Sequence, residues 1–353
     1  MKKQVSINDV AQEAGVSAAT VSYVLNNSPV NLRPETREKV LMAVKTLKYV
    51  PNQAAKTLGS SRVKGNGASK LIGVVIPQTE PGKYFMFSNP FYGDFLSMVE
   101  YEARKASFHI LISGVNAEES YVSIAKNRSL DGVIIVGMYP SADIAEYRKA
   151  KIPVVLVDCY CNEDHVFHSV RTDDRQGGYL ATNHLIQNGH RRIAFISGQV
   201  KDSGVTQMRY LGYQDALREA GIPLDKSLLF DGTVDFQYGR EAAMRISEAN
   251  AGQKDPITAV FATSDIAAVG AIKGFEQSGL TVPGDVSIVG FDDVYYAELS
   301  NLTTIRQNIN EKGREAARIL IAAAEDAKLS KRERIIPLEL VERASVRRIG
   351  SAE

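Results

Sequence analysis

The first apolar residues of the chain recur at helical spacing. Within residues 6–14 they fall three and four places apart, which predicts a short helix capped by Ser6. Gly15 then permits a tight turn, and Ser17 can cap a second helix that ends near Asn26. Two short helices joined through a glycine turn are typical of the helix-turn-helix motif, whose second helix fits the DNA major groove. Any small helical hairpin shares this spacing, so a purely structural role stays open at this point.

A third helix and a linker complete the predicted head. Pro34 can open the third helix, because a missing N–H costs nothing at the first helical position. Three helices around one small core predict a head domain over residues 1–50. Residues 51–70 hold a capped stretch too short for a stable helix in water, followed by a polar, glycine-rich run. This segment is either an ordinary linker or a short helix that folds on contact.

From residue 71 the pattern changes to short apolar runs that alternate with helical segments. One series of candidate strands reads LIGVVIP, FHILIS, GVIIVGM and IPVVLVD, and a second reads RIAFISG, ITAVFAT and VSIVGFD. Strands this apolar, separated by helices, imply parallel sheets covered on both faces. Two series predict two doubly wound lobes. We place the effector-binding core at 71–347, with one lobe at about 71–169 and 298–330 and the other at about 170–297 and 331–347. Because ligands bind beyond the carboxyl ends of such strands, we expect a site in the cleft between the lobes.

Charge separates the head from the rest of the chain. Residues 1–70 hold 11 Lys and Arg against 4 Asp and Glu, a net charge of +7. The remaining residues hold 31 against 37, a net charge of −6, so the overall value of +1 hides the difference. A basic head on an acidic body indicates a polyanionic partner for the head alone.

Candidate catalytic or metal-binding chemistry is scarce. Cys159 and Cys161 form one close pair, which cannot supply the four ligands of a structural zinc site, and reduced thiols are expected. The five histidines lack metal-ligand spacing, and no hydrolase or nucleotide-binding motif is present. The sequence therefore predicts no enzyme, no metal and no cofactor. With no signal peptide visible and no apolar run near the roughly 20 residues of a membrane span, we expect a cytoplasmic protein without a membrane partner.

Residues 10–26 read VAQEAGVSAATVSYVLN, which resembles the N-terminal signature of the lactose-repressor/galactose-repressor (LacI/GalR) family of bacterial transcription regulators. The resemblance continues through NPFYGDFLSMVE, LDGVIIVG, RYLGYQDALREAG and VSIVGFDD. It implies a helix-turn-helix head on a periplasmic-binding-protein-like core of two parallel-sheet lobes. It also implies a repressor that binds a pseudo-palindromic operator as a homodimer and responds to a small polar effector, a mono- or oligosaccharide. Other members of the family respond to a purine or to a partner protein instead. Outside the family, a solute-binding protein and an enzyme are the alternative functional classes for this chain.

The resemblance assigns DNA contacts to the head. The residues expected to contact the phosphate backbone are Ser6, Ser17, Thr20, Ser22, Asn26, Thr36 and Tyr49. Ala18, Ala19 and Tyr23 stand where the family reads bases. Most members have arginine at the position of Tyr23, and a tyrosine cannot form the two-pronged hydrogen bond that arginine makes to guanine. This difference leaves the operator sequence open.

The same resemblance makes Asn52 to Leu58 a hinge helix that forms on DNA. Ala54 and Ala55 would allow close pairing with the hinge helix of the dimer mate. Asn52 and Ala55 are expected DNA contacts, and Leu58 matches a leucine that wedges into the central minor groove and kinks the duplex.

A further set is assigned to the effector. Arg209 and Asp292 match the main polar anchors of the family, and a guanidinium or a carboxylate can each grip two neighbouring sugar hydroxyls. An aromatic wall is expected after the first strand of the core. Asp265 lies at a strand-to-helix junction, where it can instead simply cap its helix. The expected effector-binding residues are Phe91, Tyr92, Asp158, Arg209, Phe236, Ser264 and Asp292.

Overall fold

The computed structural model describes residues 5–25, 32–47, 49, 69–78, 89–116, 121–137, 146, 149, 151–160, 166–199, 204–326 and 329–350. The chain divides into two compact units, Met1–Ser69 and Lys70–Glu353. The first corresponds to the predicted head with its linker, and the second to the predicted core.

The head contains three helices, α1 (Ile7–Ala14), α2 (Ala18–Leu25) and α3 (Pro34–Thr46). Ser6 and Asp9 form a reciprocal capping box at the start of α1, as the sequence predicts. Gly15 ends α1 in the left-handed conformation, with φ of 63°. Glycine is favoured in this conformation because glycine has no Cβ. Ser17 caps α2 by accepting the Thr20 N–H at 3.1 Å. Local chemistry thus sets both ends of α1 and the start of α2.

One small apolar cluster holds the three helices together. Val10 from α1, Val21 from α2 and Val40 from α3 are each fully buried at its centre. Partly buried residues, among them Val5 and Leu47, pack around it. Burying a side chain of this size stabilises the fold by about 1.5–3 kcal/mol. A core this small therefore depends on each of the three valines.

Lys70–Glu353 builds two six-stranded sheets. The strands are β1 (Leu71–Gln78), β2 (His109–Asn116), β3 (Gly132–Val136), β4 (Val154–Val157), β5 (His168–Thr172), β6 (Ile193–Gly198), β7 (Leu229–Gly232), β8 (Ala259–Ala262), β9 (Ser287–Asp292), β10 (Thr303–Arg306), β11 (Glu333–Ile336) and β12 (Glu339–Val341). The first sheet has the order β11-β5-β4-β3-β1-β2 and is parallel throughout. The second sheet has the order β12-β10-β9-β8-β6-β7, and its edge strand β12 is antiparallel to β10. The predicted class, an all-α head with a core of two doubly wound lobes, is confirmed.

Helices cover the faces of both sheets. They are α4 (Pro90–Lys105), α5 (Tyr121–Asn127), α6 (Asp174–Gln187), α7 (Val205–Glu219), α8 (Phe236–Asn250), α9 (Asp265–Gln277), α10 (Tyr295–Leu299) and α11 (Ile309–Glu325), with a short 3-10 turn at Lys226–Leu228. We call the first sheet with α4, α5 and α11 the first lobe, and the second sheet with α6 to α10 the second lobe. The central strands are buried on both faces, which explains why they read as continuous apolar runs.

The chain passes between the two sheets three times. It leaves the first sheet after Thr172, returns from β10 through Gln307 and Asn308, and leaves again between β11 and β12. Residues 303–306, expected in the first lobe, instead form β10 and pair with β9 of the second sheet. Residues 333–336, expected in the second lobe, form β11 and pair with β5 of the first. The lobe boundaries need this correction because both strands could pair with either sheet, and only long-range packing decides.

None of the helices in the described part of the chain combines the length and the apolar character that crossing a bilayer needs.

Candidate functional site

The exposed side of α2 is the surface that the sequence assigns to DNA. Ala19 and Tyr23 are exposed there, Tyr23 by 42%. Ser22 is half-buried, and Ala18 is half-buried in contact with the apolar core of the head. Ala18 and Ser22 are four residues apart, as are Ala19 and Tyr23, so the four positions lie on the same side of the helix. The predicted base-reading residues therefore lie together.

The serine hydroxyls at the two helix starts already make local hydrogen bonds. Ser6 Oγ donates to Asp9 Oδ2 at 2.7 Å and accepts the Asp9 N–H at 3.3 Å. Ser17 Oγ lies 2.9 Å from Thr20 Oγ1 and also accepts the Thr20 N–H. If these serines contact a phosphate, the same hydroxyl groups would serve both the helix cap and the phosphate. The partial positive charge of the helix N-terminus would favour such a contact.

The remaining predicted DNA contacts are more scattered. Thr36 is half-buried in the first turn of α3, where its N–H donates to the Arg33 carbonyl oxygen at 3.0 Å. Tyr49 is half-buried against the head core, and its N–H donates to the Val44 carbonyl oxygen at 3.0 Å. The last predicted contacts lie outside the described residues: Asn26, Asn52, Ala55 and Leu58.

In the core, Arg209 on α7 is buried at the first passage between the lobes. Its Nε and Nη2 atoms each lie 2.8 Å from Asp174 Oδ1, and Nη1 donates to the Thr263 carbonyl oxygen at 2.5 Å. The guanidinium carbon stacks 3.6 Å from the centre of the Phe291 ring. Asp174 also accepts the Tyr160 hydroxyl at 2.6 Å. Arg209 is thus fixed in place by a carboxylate that the sequence analysis missed.

Asp292 ends β9 and faces Arg209. Its Oδ1 atom is 3.9 Å from Arg209 Nη1 and accepts a hydrogen bond from Gln307 Nε2. Asp292 has φ of 119°, which a residue with a Cβ adopts only under strain, and such strain concentrates at functional sites. Burial raises the pKa of Asp292 to about 7, although Arg209, the Gln307 hydrogen bond and Lys312 each lower it. Near neutral pH this carboxyl therefore lies close to its titration point.

Asp158 occupies the matching place in the first lobe, directly after β4. It also has a positive φ, 51°. Both of its carboxylate oxygens accept from Lys312 Nζ, at 2.7 and 2.8 Å. Burial raises the pKa of Asp158, while the Lys312 ammonium lowers it. Each lobe therefore presents a buried aspartate at a strand end, where the sequence places the effector.

The predicted aromatic wall lies partly inside the first lobe. Phe91 is buried in the lobe core, stacked on Phe95 with ring centres 6.2 Å apart. The Phe91 ring centre is also 5.5 Å from Lys312 Nζ, which places it beside the polar groups. Tyr92 is half-buried and packs edge-on against Phe91. Phe91 thus lies beside the lysine that pairs with Asp158, and Tyr92 lies behind Phe91.

Ser264 and Asp265, at the start of α9, have different roles. Ser264, not Asp265, caps the helix, accepting the Ala267 N–H at 3.3 Å. Asp265 instead accepts from the Thr304 hydroxyl at 2.6 Å and from the Val294 N–H at 2.9 Å. Burial raises the pKa of Asp265 well above its usual range.

Phe236 stands apart from this group. It is 38% exposed at the first position of α8, and its ring makes none of the described contacts to Arg209 or Asp292. Its place in the effector site stays a prediction.

Three polar partners at the lobe junction escaped the sequence analysis: Asp174, Gln307 and Lys312. Asp174 begins the helix two residues after the end of β5, a position that could have suggested it. Lys312 carried a clearer signal, because it falls on the apolar face of α11, three residues after Ile309 and four before Ala316. A lysine in an apolar stripe predicts a buried partner, since an unpaired buried charge is very costly.

This arrangement suits an effector with several hydroxyl groups. Carboxylates and amide oxygens accept from hydroxyls, and Arg209 can donate to them. Among the described residues, no cluster of His, Cys, Asp and Glu has the makings of a metal site.

Comparison with known proteins agrees with both units of the fold. Residues 6–52 match the bacterial regulatory proteins of the lacI family, and residues 182–346 match the periplasmic binding protein-like domain. The chain is 33% identical to the HTH-type transcriptional regulator DegA of Bacillus subtilis, over 96% of this chain and 97% of that protein. The chain belongs to the LacI family. It is a DNA-binding transcription regulator and not an enzyme, as the sequence predicted.

Solved structures of LacI-family regulators share this architecture. The lac repressor dimer bound to operator and the anti-inducer ONPF is 26% identical, with a TM-score of 0.80 over 98% of this chain and all of that one. The complex of the transcriptional regulator CelR with cellobiose is 28% identical, with a TM-score of 0.69 over 97% of this chain and all of that one.

Proposed function

We propose that this LacI-family regulator is a repressor that binds a pseudo-palindromic operator as a homodimer and is controlled by a saccharide. The observation that carries the effector proposal is the meeting of Arg209 and Asp292, 3.9 Å apart, at the strand ends where the chain passes between the lobes. Ligand sites of doubly wound folds lie at such strand ends.

The head supports operator binding through the face of α2. Tyr23 and Ala19 stand exposed on a helix whose start is fixed by a cap and whose back is buried in the head core. A rigid helix with a small, exposed first turn can enter the major groove closely. A single head offers too little surface for a specific interface of about 1,000–2,500 Å², which favours two heads on a two-fold operator.

The core supports a saccharide because its buried polar groups belong to both lobes. Asp158 comes from the first lobe, whereas Arg209 and Asp292 come from the second. A polyhydroxyl ligand that engages both sides would stabilise one arrangement of the lobes over others. An effector shifts an equilibrium only by its differential affinity for the two states, and groups drawn from both lobes would provide such a difference if the lobes move relative to each other. We propose that the change reaches the head through residues 51–70.

Two measurements test the proposal. In gel shifts with fragments of the source genome, a few fragments should be retained specifically, and log affinity should fall linearly with log salt by roughly 0.9 per phosphate contact. Binding without preference or without salt dependence would contradict a dimeric operator-binding protein. The stoichiometry of the complex, from analytical ultracentrifugation, should be two chains per operator.

A thermal-shift panel of sugars and nucleobases tests the effector. A saccharide that raises the melting temperature should also change operator affinity in the gel shift. Stabilisation by a nucleobase, or a response only to a partner protein, would replace the saccharide but keep the regulator. Stabilisation by a sugar with no effect on DNA binding would instead favour a solute-binding role for the core.

A further inference from the structure

Lys312 lies in an unusual place for a lysine. Its side chain is fully buried, on the face of α11 that otherwise packs apolar residues into the first lobe. It also lies in the first turn of the helix, where the helix dipole disfavours a cation. The position therefore carries two costs that an apolar residue of similar length would not.

Three acceptors surround the ammonium group. Asp158 accepts through both oxygens, the side-chain oxygen Oε1 of Gln307 makes a short contact, and Thr172 Oγ1 is 3.5 Å away. Asp158 belongs to the first lobe, while Thr172 and Gln307 flank two of the passages between the lobes. One cation thus joins a strand end of the first lobe to two of the connections to the second.

Gln307 extends this connection to the second lobe. Its side-chain oxygen accepts from Lys312, so its amide N–H₂ group points the other way and donates to Asp292. The reverse orientation would set an N–H₂ group against the ammonium and an oxygen against the carboxylate. Lys312 therefore orients Gln307, and Gln307 holds Asp292.

The charged groups around Asp158 and Asp292 include few cations that could take the place of Lys312. Asp292 faces Arg209 on α7 and Lys312 on α11, but also the carboxyls of Asp174 and Asp265. The charged groups that act on Asp158 are Lys312, Asp174 and Arg209. Asp293, next in the chain, lies 2.7 Å from both Arg306 and Arg343. After Lys312, Arg209 is the other cation with a leading influence on both aspartates.

We propose that Lys312 is a positioning residue of the effector site, which holds Asp158 and, through Gln307, Asp292 aimed at the hydroxyl groups of the effector and favours the carboxylate form of both. The effector part of this statement rests on the proposed function. The electrostatic part concerns the free protein and can be tested without any ligand.

The test compares full-length wild type with Lys312→Met, which keeps the length and apolar stem of the side chain. Thermal unfolding is followed from about pH 5 to about pH 8, a range that spans the Asp292 pKa of about 7. Without the cation, the folded-state pKa of both aspartates rises further. The deficit in melting temperature should therefore grow as pH rises, by several degrees across the range. Lys273→Met, which breaks an exposed pair with Glu276, is the control and should show no such growth.

The double variant Asp158→Asn with Lys312→Met separates charge from packing. It removes both members of the buried pair, so the part of the pH-dependent deficit that comes from Asp158 should disappear, while the part that comes from Asp292 should remain. It also serves if the single variant does not fold. The Asp292 carboxyl, followed by NMR in protein labelled with ¹³C at the aspartate carboxyls, should then still titrate at higher pH than in wild type.

A Lys312→Met deficit that stays constant with pH would reduce Lys312 to a packing role and overturn the proposal. An unchanged titration of Asp292 in the double variant would overturn its second half. If the pH behaviour appears but no saccharide in the thermal-shift panel binds wild type, the proposed effector fails and the electrostatic role of Lys312 stands.

Discussion

Gly178 on α6 lies so close to Arg209 on α7 that a Cβ atom at Gly178 would come within 2.1 Å of the Arg209 carbonyl oxygen. The contact is mirrored one turn away, where a Cβ at Gly212 would come within 2.0 Å of the Arg175 carbonyl oxygen. Two glycines thus let the helices touch backbone to backbone. This close approach brings the Arg209 guanidinium to Asp174 at the start of α6.

Gly178→Ala should therefore damage the effector site from a distance. The added methyl group must push α7 outward, and overpacking of this kind costs about 1–3 kcal/mol. We expect a lower free energy of unfolding in urea and a weaker thermal shift with any saccharide that stabilises wild type.

Gly93→Ala is the matched control for this change. Gly93 also lies in a helix, but a Cβ there would meet nothing within 4 Å. The substitution should leave stability unchanged or raise it by up to about 1 kcal/mol, since alanine favours helix over glycine. Equal effects at the two glycines would contradict the close-contact explanation.

Asp292→Asn should abolish the effector response while operator binding persists. The amide keeps the shape of the side chain but loses the carboxylate that we expect to accept from effector hydroxyls, a loss of about 1.5–3 kcal/mol for one charge-assisted hydrogen bond. Calorimetric titration with the stabilising saccharide measures the first effect, and gel shift measures the second. Normal saccharide affinity in this variant would remove Asp292 from the site.

Arg209→Ala is a less direct test of the same site. Arg209 neutralises the fully buried Asp174, so its removal leaves an unpaired charge and should destabilise the fold by about 3–5 kcal/mol. Combining Arg209→Met with Asp174→Asn removes both charges. The double variant should recover most of the stability, measured by urea unfolding, without recovering the effector response.

The raised pKa of Asp292 predicts how stability depends on pH. Because its folded-state pKa of about 7 exceeds the ordinary value of 3.8, this group contributes stability that is complete in acid and is lost as pH rises through about 7. The effector-free protein should therefore become less stable between about pH 5 and about pH 8, and Asp292→Asn should flatten that slope. Thermal unfolding across this range measures both. Identical slopes in the two proteins would show that another group sets the dependence.

Tyr23→Arg should change which operator is preferred. Tyr23 is exposed on the face of α2 that we propose reads the bases, and arginine there can bond to both O6 and N7 of guanine. Selection from a random DNA library should shift toward guanine at one position in each half-site, a discrimination of about 1–3 kcal/mol. Met42→Arg adds the same charge at a 71% exposed position on α3 and should strengthen binding without changing the selected sequence. If both variants select the wild-type operator, Tyr23 does not face the bases.

The sequence by itself determined the helix-turn-helix. Ser6, Gly15 and Ser17 set the helix ends through contacts within a few residues, and such local interactions are readable without a fold. It determined the two parallel-sheet lobes as well, because a strand buried on both faces must be apolar along its length. Family resemblance supplied Arg209 and Asp292, and the structure shows them close together.

The tertiary structure alone decided which strands join which sheet and which groups hold the anchors. Lys312 and Asp158 are separated by 154 residues, and Arg209 and Asp174 by 35, so no local pattern pairs them. The four residues of β10, Thr303–Arg306, do not indicate which sheet the strand joins. The pairing of β10 with β9 places Gln307 between Lys312 and Asp292. An unpaired charge buried at this junction would be very costly, so the stable arrangement is one in which each buried charge has a partner.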